Sequence, residues 1–110
     1  MKLGSINDSK RILFPKQPPM TGKIPPQARE IEEVVLGAIM IDKRAFDIIS
    51  EILRPECFYV ESHRLIFQAM VKLNQRSQVI EIFSVVEELM KMESLDLVGG
   101  PYAVTMISIS

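Results

Sequence analysis

The sequence predicts an all-α protein, a small helical bundle of about four helices. Over most of the chain after residue 24, apolar residues recur at spacings of three and four, which is the period of an amphipathic helix. No segment shows the sustained alternation that is typical of a sheet, and no long repeat recurs. With 110 residues that are 47% hydrophobic, the chain can build one real core but is short for two full domains.

Residues 1–24 are expected to form a flexible, basic N-terminal arm. They include three prolines and two glycines, and their five basic residues outnumber one acidic residue, which gives a charge of +4. The rest of the chain has eight basic and thirteen acidic residues, which gives a charge of −5. Such an acidic body repels phosphates, so direct binding of nucleic acid by the folded part is disfavoured. Scattered positive charges such as those of the arm are more often a solvated leader than a binding segment.

The first helix is predicted to begin at Pro25-Pro26, because proline is tolerated in the first helical turn. The residues expected on its buried stripe are Ile31, Val34, Val35, Ala38 and Ile39. Gly37 lies inside this stripe, where a glycine costs up to about 1 kcal/mol relative to alanine. We therefore expect another helix to approach closely at Gly37.

A proline separates the second and third predicted helices. Asp42 is a good N-cap for the second helix, and Pro55 forbids its continuation. The apolar connector Cys57-Phe58-Tyr59 is then expected to plug the core from a turn. The third helix is predicted over about residues 62–76. Its expected inner face consists of Leu65, Ile66, Ala69, Met70 and Leu73.

Two local signals predict the remaining helices. Ser84 and Glu87 have the spacing of a capping box, so a fourth helix is predicted to open at Ser84. Gly99-Gly100-Pro101 then breaks the chain and starts a last helix that is apolar on most of its faces. The sequence stops at Ser110 without a helix-ending signal. We therefore expect the chain to be a fragment that is cut within a helix.

The sequence holds no constellation that predicts catalysis or metal binding. His63 and Cys57 occur once each, whereas a structural zinc site needs about four ligands. A His63 that caps or packs near a helix start and a buried, inert Cys57 are therefore the favoured interpretations. Gly22-Lys23 is the one Gly-Lys pair, and it lacks the other residues of a phosphate-binding loop.

Two pairs of neighbouring carboxylates, Glu32/Glu33 and Glu87/Glu88, lie near the beginnings of predicted helices. The helix dipole and solvent account for carboxylates at such positions, so we do not interpret them as acid–base partners. We expect no catalytic, cofactor-binding or metal-binding residue in this chain.

The sequence predicts a cytoplasmic protein without a membrane segment. Charged residues interrupt every apolar run before it reaches the roughly 18 residues of a membrane span. The N-terminus shows no secretory signal, and a single cysteine fits a reducing compartment.

An ordered set of short segments runs through the predicted folded region. It consists of Pro25-Pro26, Glu30-Ile31-Glu32, Val35-Leu36-Gly37, Met40, Asp42, Phe58-Tyr59, His63-Arg64, Ile66-Phe67, Met70, Glu87-Glu88-Leu89, Leu97-Val98-Gly99-Gly100 and Tyr102. In this order and spacing, over about residues 23–107, the chain resembles the N-terminal domain of bacterial replicative DNA helicases of the DnaB type. It departs from the family at residues 80–83, where the family more often has an aspartate and smaller aliphatic residues.

The resemblance implies a helical head over residues 25–97 and the first helix of a helical hairpin, cut short, over residues 98–110. In the family, this domain pairs with copies of itself in a collar on a hexameric ring and provides the surface for primase and, in some systems, for a helicase loader. The motor that uses ATP and Mg and contacts DNA would lie in a separate C-terminal domain. The parent protein would then be an ATP-dependent DNA helicase near the bacterial nucleoid, and this stretch would be non-catalytic and without a cofactor.

The last predicted helix supplies the candidate interface, because a helix that is apolar on most faces must bury itself against something. The candidate residues for self-association or primase binding are Tyr102, Ala103, Met106, Ile107 and Ile109. If this helix drives pairing, Ile107→Glu is expected to weaken it, because the new charge would have to be desolvated.

Three alternatives stay open from the sequence. A free-standing helical DNA-binding or regulatory protein would use the basic arm, and deleting residues 1–24 would then abolish a salt-dependent affinity for DNA. A small enzyme lacks a plausible set of catalytic residues. The helical C-terminal domain of primase, which meets the collar from the partner side, is a remote alternative, because the ordered segments favour the helicase.

Overall fold

The computed structural model describes residues 25–109, and these residues form helices and turns without a strand. The α-helices are α1 (Pro26–Ile41), α2 (Ala45–Ile49), α3 (Glu61–Gln75), α4 (Ile82–Lys91) and α5 (Gly100–Ser108). A single 3₁₀ turn, Pro55–Cys57, lies between α2 and α3. The all-α prediction is thereby confirmed. The predicted basic arm, residues 1–24, lies outside the described residues.

The core forms around α3, which packs on α4, on α1 and on the 3₁₀ turn. The ring of Phe67 on α3 is the centre of an aromatic group, with its centroid 5.6 Å from that of Phe46 and 5.1 Å from that of Phe58. Such tilted pairs stabilise a core beyond the area they bury. Phe58 is fully buried, so the prediction that its segment plugs the core is confirmed, whereas its neighbour Cys57 is only half-buried.

The buried face of α1 differs from the predicted stripe. The buried residues are Ala28, Glu32, Leu36, Gly37, Ile39 and Met40. Val34 and Ala38, which were expected inside, are exposed to solvent. The prediction was right for Ile39, and Ile31 and Val35 pack partly buried against the core. It was wrong for Val34 and Ala38, because it placed the face by apolar residues alone, whereas the carboxylate of Glu32 occupies a core position.

Two helices begin at other residues than predicted. Asp42 does not cap a helix directly, because its Oδ1 accepts the N–H of Arg44 at 2.9 Å within a turn, and α2 starts only after Arg44. The box at the start of α4 joins Glu81 and Ser84, since the N–H of Glu81 donates to Ser84 Oγ at 3.0 Å. Ser84 is therefore the third residue of the helix rather than its cap, and α4 starts at Ile82.

The last helix, α5, is an integral part of the same core. It packs along α1 and against α4, and it buries Val104 and Ile107. Its start follows the sequence, because Gly99 adopts a positive φ of 100° and Pro101 occupies the first turn. The division between a head over residues 25–97 and a hairpin arm over residues 98–110 stays a prediction.

An ion pair joins the end of α3 to α4. Arg76 Nη1 lies 3.4 Å from Oε2 of Glu88, and Nη2 bonds the other carboxylate oxygen. Glu88 is buried, so the prediction that it is a solvated carboxylate at a helix beginning was wrong. The hydrogen bond from Arg76 lowers the pKa of Glu88 below its ordinary value of 4.5.

The lowered pKa predicts a specific sensitivity to acid. The stability that Glu88 contributes is present above the ordinary pKa and is lost as the pH falls through the lowered pKa of the folded state. The free energy of unfolding of the wild type should fall as the pH is lowered from about 6 to 3. We expect this fall to be smaller in Glu88→Gln, measured by urea unfolding. Glu87→Gln, at the exposed neighbour, is the control. Equal slopes for wild type and Glu88→Gln would contradict the prediction.

Candidate protein-interaction surface

The closest approach of α1 and α5 is at Gly37. A Cβ atom built on Gly37 would lie 2.7 Å from the backbone carbonyl oxygen of Ile107, so the glycine lets the two helices touch. This confirms the close approach of a helix that the sequence predicted.

The two helices form a layer whose inner side lies on the core and whose outer side carries apolar residues. On α1, Val34 is 61% and Ile41 is 75% exposed. On α5, Tyr102 is 74% exposed, and Ile109, which caps the end of this helix, is 68% exposed. Each helix presents its exposed residues at i, i+4 and i+7, opposite its buried face. We call this side the outer face, and it consists of Val34, Ala38, Ile41, Tyr102, Met106 and Ile109.

The structure divides the five candidate interface residues. Tyr102, Met106 and Ile109 lie on the outer face, and Ala103 is half-buried beside it. Ile107 is only 8% exposed and belongs to the core, so its side chain does not lie on the surface. Ile107→Glu therefore does not test pairing, because the new charge would disrupt the core itself.

A cleft of about 420 Å³ is lined by residues of α1, α3 and α5. The polar part of its lining comes from Arg29, Glu33, Ser62 and His63. The apolar part comes from Val98 and from α5 residues that include Tyr102. The cleft thus places charged and polar groups directly beside the outer face.

His63, which lines the cleft, is held by the buried carboxylate of Glu32. The two oxygens of Glu32 accept the backbone N–H of Tyr59 at 2.6 Å and that of Val60 at 3.3 Å. The imidazole Nδ1 of His63 lies 2.7 Å from Glu32 Oε1, and both side chains are buried. The carboxylate of Glu32 thus has three hydrogen-bond partners, two backbone N–H groups and the His63 ring.

Glu32 is therefore a structural anchor that ties the N-terminus of α3 to α1. The interpretation of Glu32 as a solvated carboxylate was wrong, whereas the prediction that His63 is a packed residue is confirmed. The sequence does indicate that Glu32 lies on an apolar helix face, because Ala28 and Leu36 are at i−4 and i+4. Glu33, its neighbour, is partly exposed, and its Oε2 lies 3.8 Å from His63 Nε2.

Residues 25–109 show neither a metal-binding cluster nor a membrane-spanning helix. No group of three or more His, Cys, Asp or Glu side chains in this part of the chain could hold a metal ion. None of its helices combines the length and the apolar composition that crossing a membrane requires.

The all-helical fold and the order of its segments agree with one protein family. Residues 24–110 match the DnaB-like helicase N terminal domain. The chain belongs to this family. Over 78 residues, or 71% of its length, it is 41% identical to the replicative DNA helicase DnaB of Rhodothermus marinus. Over the same share of its length, it is 42% identical to the replicative DNA helicase DnaB of Geobacillus stearothermophilus.

A solved structure shows the same fold. The crystal structure of the N-terminal domain of DnaB helicase from Mycobacterium tuberculosis superposes with a TM-score of 0.69 at 28% identity. The match covers 71% of this chain and 54% of that one. The chain spans only 8% and 17% of the lengths of the Rhodothermus and Geobacillus helicases, so it corresponds to a small part of such proteins.

Proposed function

We propose that this DnaB-type domain is the collar domain of a replicative DNA helicase, supporting assembly of the hexameric ring and docking primase. Unwinding and ATP hydrolysis would belong to a motor domain of the parent protein, in the bacterial cytoplasm. A helicase loader is a further partner of the same domain in some systems. The observation that carries this proposal is the apolar outer face on a chain of the DnaB N-terminal family.

The composition of the outer face supports a protein partner. Large apolar side chains in a contiguous exposed patch are typical of protein–protein interfaces. Tyr102 adds an aromatic ring with a polar hydroxyl, a residue type that is enriched at binding hot spots. The members of the outer face are all uncharged, whereas a surface that binds nucleic acid carries clustered lysine and arginine.

The cleft beside the outer face supports primase docking in particular. Its carboxylate, guanidinium and hydroxyl groups can form a polar rim around an apolar contact on Tyr102. Because hydrogen bonds and charges at such a rim fix orientation, this arrangement suits a specific partner better than unspecific apolar adhesion.

The test replaces exposed residues of α5 and measures the binding of the cognate primase. We expect Tyr102→Glu and Ile109→Glu to weaken primase binding about tenfold or more, measured by titration calorimetry, because each puts a charge into an apolar contact. Both variants are expected to fold, because the replaced side chains face solvent, and circular dichroism should show wild-type helix content.

The matched control is Ile48→Glu, because Ile48 on α2 is 64% exposed, close to the 68% of Ile109, and lies off the outer face. This control should bind primase as the wild type does. If all three variants bind primase with wild-type affinity, the outer face is not the docking surface and the proposed role fails.

A further inference from the structure

We propose that residues 10–16 of the N-terminal arm dock on the solvent side of α4 in the same chain. This segment reads Lys-Arg-Ile-Leu-Phe-Pro-Lys, so its three large apolar residues stand between basic ones. On α4, the side chains of Phe83, Val86 and Met90 would receive the apolar residues, and we call these three residues the α4 face. The inference goes beyond the proposed function, because α4 carries no residue of the outer face.

The first argument is the apolar stripe that α4 presents to solvent. Phe83 is 67% and Met90 is 60% exposed, and Val86 between them is half-buried. The three residues are spaced by three and four, so they follow one side of the helix, whereas Val85 and Leu89 are buried in the core. A contiguous exposed stripe of large apolar side chains is typical of a surface that another segment covers.

The second argument is charge complementarity. Residues 77–97, which contain α4 and the turns on both sides of it, hold five acidic residues and one basic residue. Because Glu88 is paired with Arg76, the charges that are left belong to Glu81, Glu87, Glu93, Asp96 and Lys91. Four acidic residues and one basic residue give a charge of −3, and residues 10–16, with two lysines and one arginine, carry +3. Equal and opposite charges around two apolar stripes favour their contact and orient it.

The third argument is that the arm is long enough to reach α4. Eleven peptide units lead from Phe14 to Pro25, and an extended chain covers about 3.3 Å per residue, so they span up to about 36 Å. The arm leads into α1, which packs on α5, and α5 packs on α4. At most two interhelical distances of about 8–10 Å therefore separate the axis of α1 from that of α4. The covalent link also gives the segment a high effective concentration at this site.

The other surfaces that residues 25–109 present fit a basic segment less well. The members of the outer face are all uncharged, whereas Glu87 lies within one turn of both Phe83 and Met90. The two clefts that α2 borders, of about 410 and 350 Å³, each have one acidic and one basic residue in their lining. Neither cleft therefore attracts a segment of charge +3.

The experiment is limited digestion of the full chain with trypsin at low salt, followed by mass spectrometry. Trypsin cleaves after lysine and arginine, so Arg11 and Lys16 report on the docked segment and Lys23 reports on the arm outside it. In Phe83→Glu, we expect cleavage after Arg11 and Lys16, relative to cleavage after Lys23, to be about tenfold faster than in the wild type. The variant should fold, because Phe83 faces solvent and a glutamate in the first turn of α4 is favourable, and circular dichroism checks this.

The matched control is Ile48→Glu, because Ile48 is 64% exposed and receives the same charge away from α4. This control should keep the wild-type cleavage ratio. From the other side of the contact, Leu13→Glu should raise relative cleavage after Lys16 as Phe83→Glu does, and the double variant should add little to either single change. Raising the salt from about 0.05 M to 0.5 M should also raise the ratio in the wild type, because it screens the charges.

Several results would overturn the inference. One is an unchanged ratio in Phe83→Glu, and another is a rise of the same size in Ile48→Glu. If Tyr102→Glu raises the ratio and Phe83→Glu does not, the arm lies on the outer face instead. If the segment is protected only after duplex DNA is added, and equally in Phe83→Glu, the arm binds nucleic acid and not α4. None of these readouts uses primase, so the proposed function stands or fails separately.

Discussion

Replacing Glu32 with alanine is expected to destabilise the fold by about 3–5 kcal/mol. The substitution removes the acceptor of two backbone N–H groups, those of Tyr59 and Val60, and of the His63 imidazole. The Val60 N–H and the His63 ring are buried and the Tyr59 N–H is partly buried. Each unsatisfied buried donor costs about 1–3 kcal/mol. Since domains of this size are stable by about 5–15 kcal/mol, the variant should lose a large fraction of its total free energy of unfolding.

The measurement is urea unfolding followed by far-ultraviolet circular dichroism, with two comparison variants. Glu33→Ala removes a neighbouring carboxylate that is partly exposed, so its effect should stay within about 1 kcal/mol. Glu32→Gln keeps one oxygen acceptor and should fall between the two. A Glu32→Ala variant as stable as Glu33→Ala would show that the carboxylate does not anchor α3 to α1.

The anchor also explains why one part of the fold could not be predicted from the sequence. Its partners lie 27 to 31 residues further along the chain, so nothing local shows that Glu32 is paired. A carboxylate is rarely buried unless it is paired, so an apolar stripe was the better prior. For the same reason, Val34 and Ala38 were predicted to be buried. No residue of α1 was therefore included among the candidate interface residues.

Local sequence signals predicted the start of a helix correctly where they allowed only one capping arrangement. The first helix begins at the predicted prolines, and α5 begins at the predicted glycines. At α4 the sequence offers two capping boxes that overlap at Ser84, one with Glu81 and one with Glu87. The structure selects the first, and the Ser84 hydroxyl also donates to the carbonyl of Val79 at 2.7 Å. This contact reaches back into the preceding loop, beyond the four residues of a capping box.

The candidate interface was predictable as a helix but not residue by residue. Because α5 is apolar on most faces, its sequence does not distinguish Ile107, which packs on α1, from Ile109, which faces solvent. The distinction comes from the packing of α5 on α1, which brings Ile107 against Gly37. The identity of the domain was recognisable because many short segments agreed in order and spacing, and that agreement does not depend on which face each residue occupies.

Replacing Gly37 with valine is expected to destabilise the fold by about 3 kcal/mol. Even the first added atom would lie 2.7 Å from the carbonyl oxygen of Ile107, which is closer than carbon and oxygen approach without repulsion. The obstacle is backbone rather than a flexible side chain, so α5 must move away from α1 and expose part of the shared core. Gly37→Ala adds one carbon and should cost about 1 kcal/mol, even though alanine is the better helix former.

The control for Gly37 is its neighbour Ala38, which faces solvent. Ala38→Val adds comparable volume without a clash and should change the free energy of unfolding by less than about 1 kcal/mol, measured by urea unfolding. The sign of the change in the free energy of unfolding of Gly37→Ala distinguishes two physical situations. If alanine stabilises the chain by about 1 kcal/mol, helix propensity dominates and α5 stands further from α1 than the structure shows. If alanine destabilises the chain, the clash between the two helices outweighs the higher helix propensity of alanine. The packing of α1 on α5 then requires a glycine at position 37.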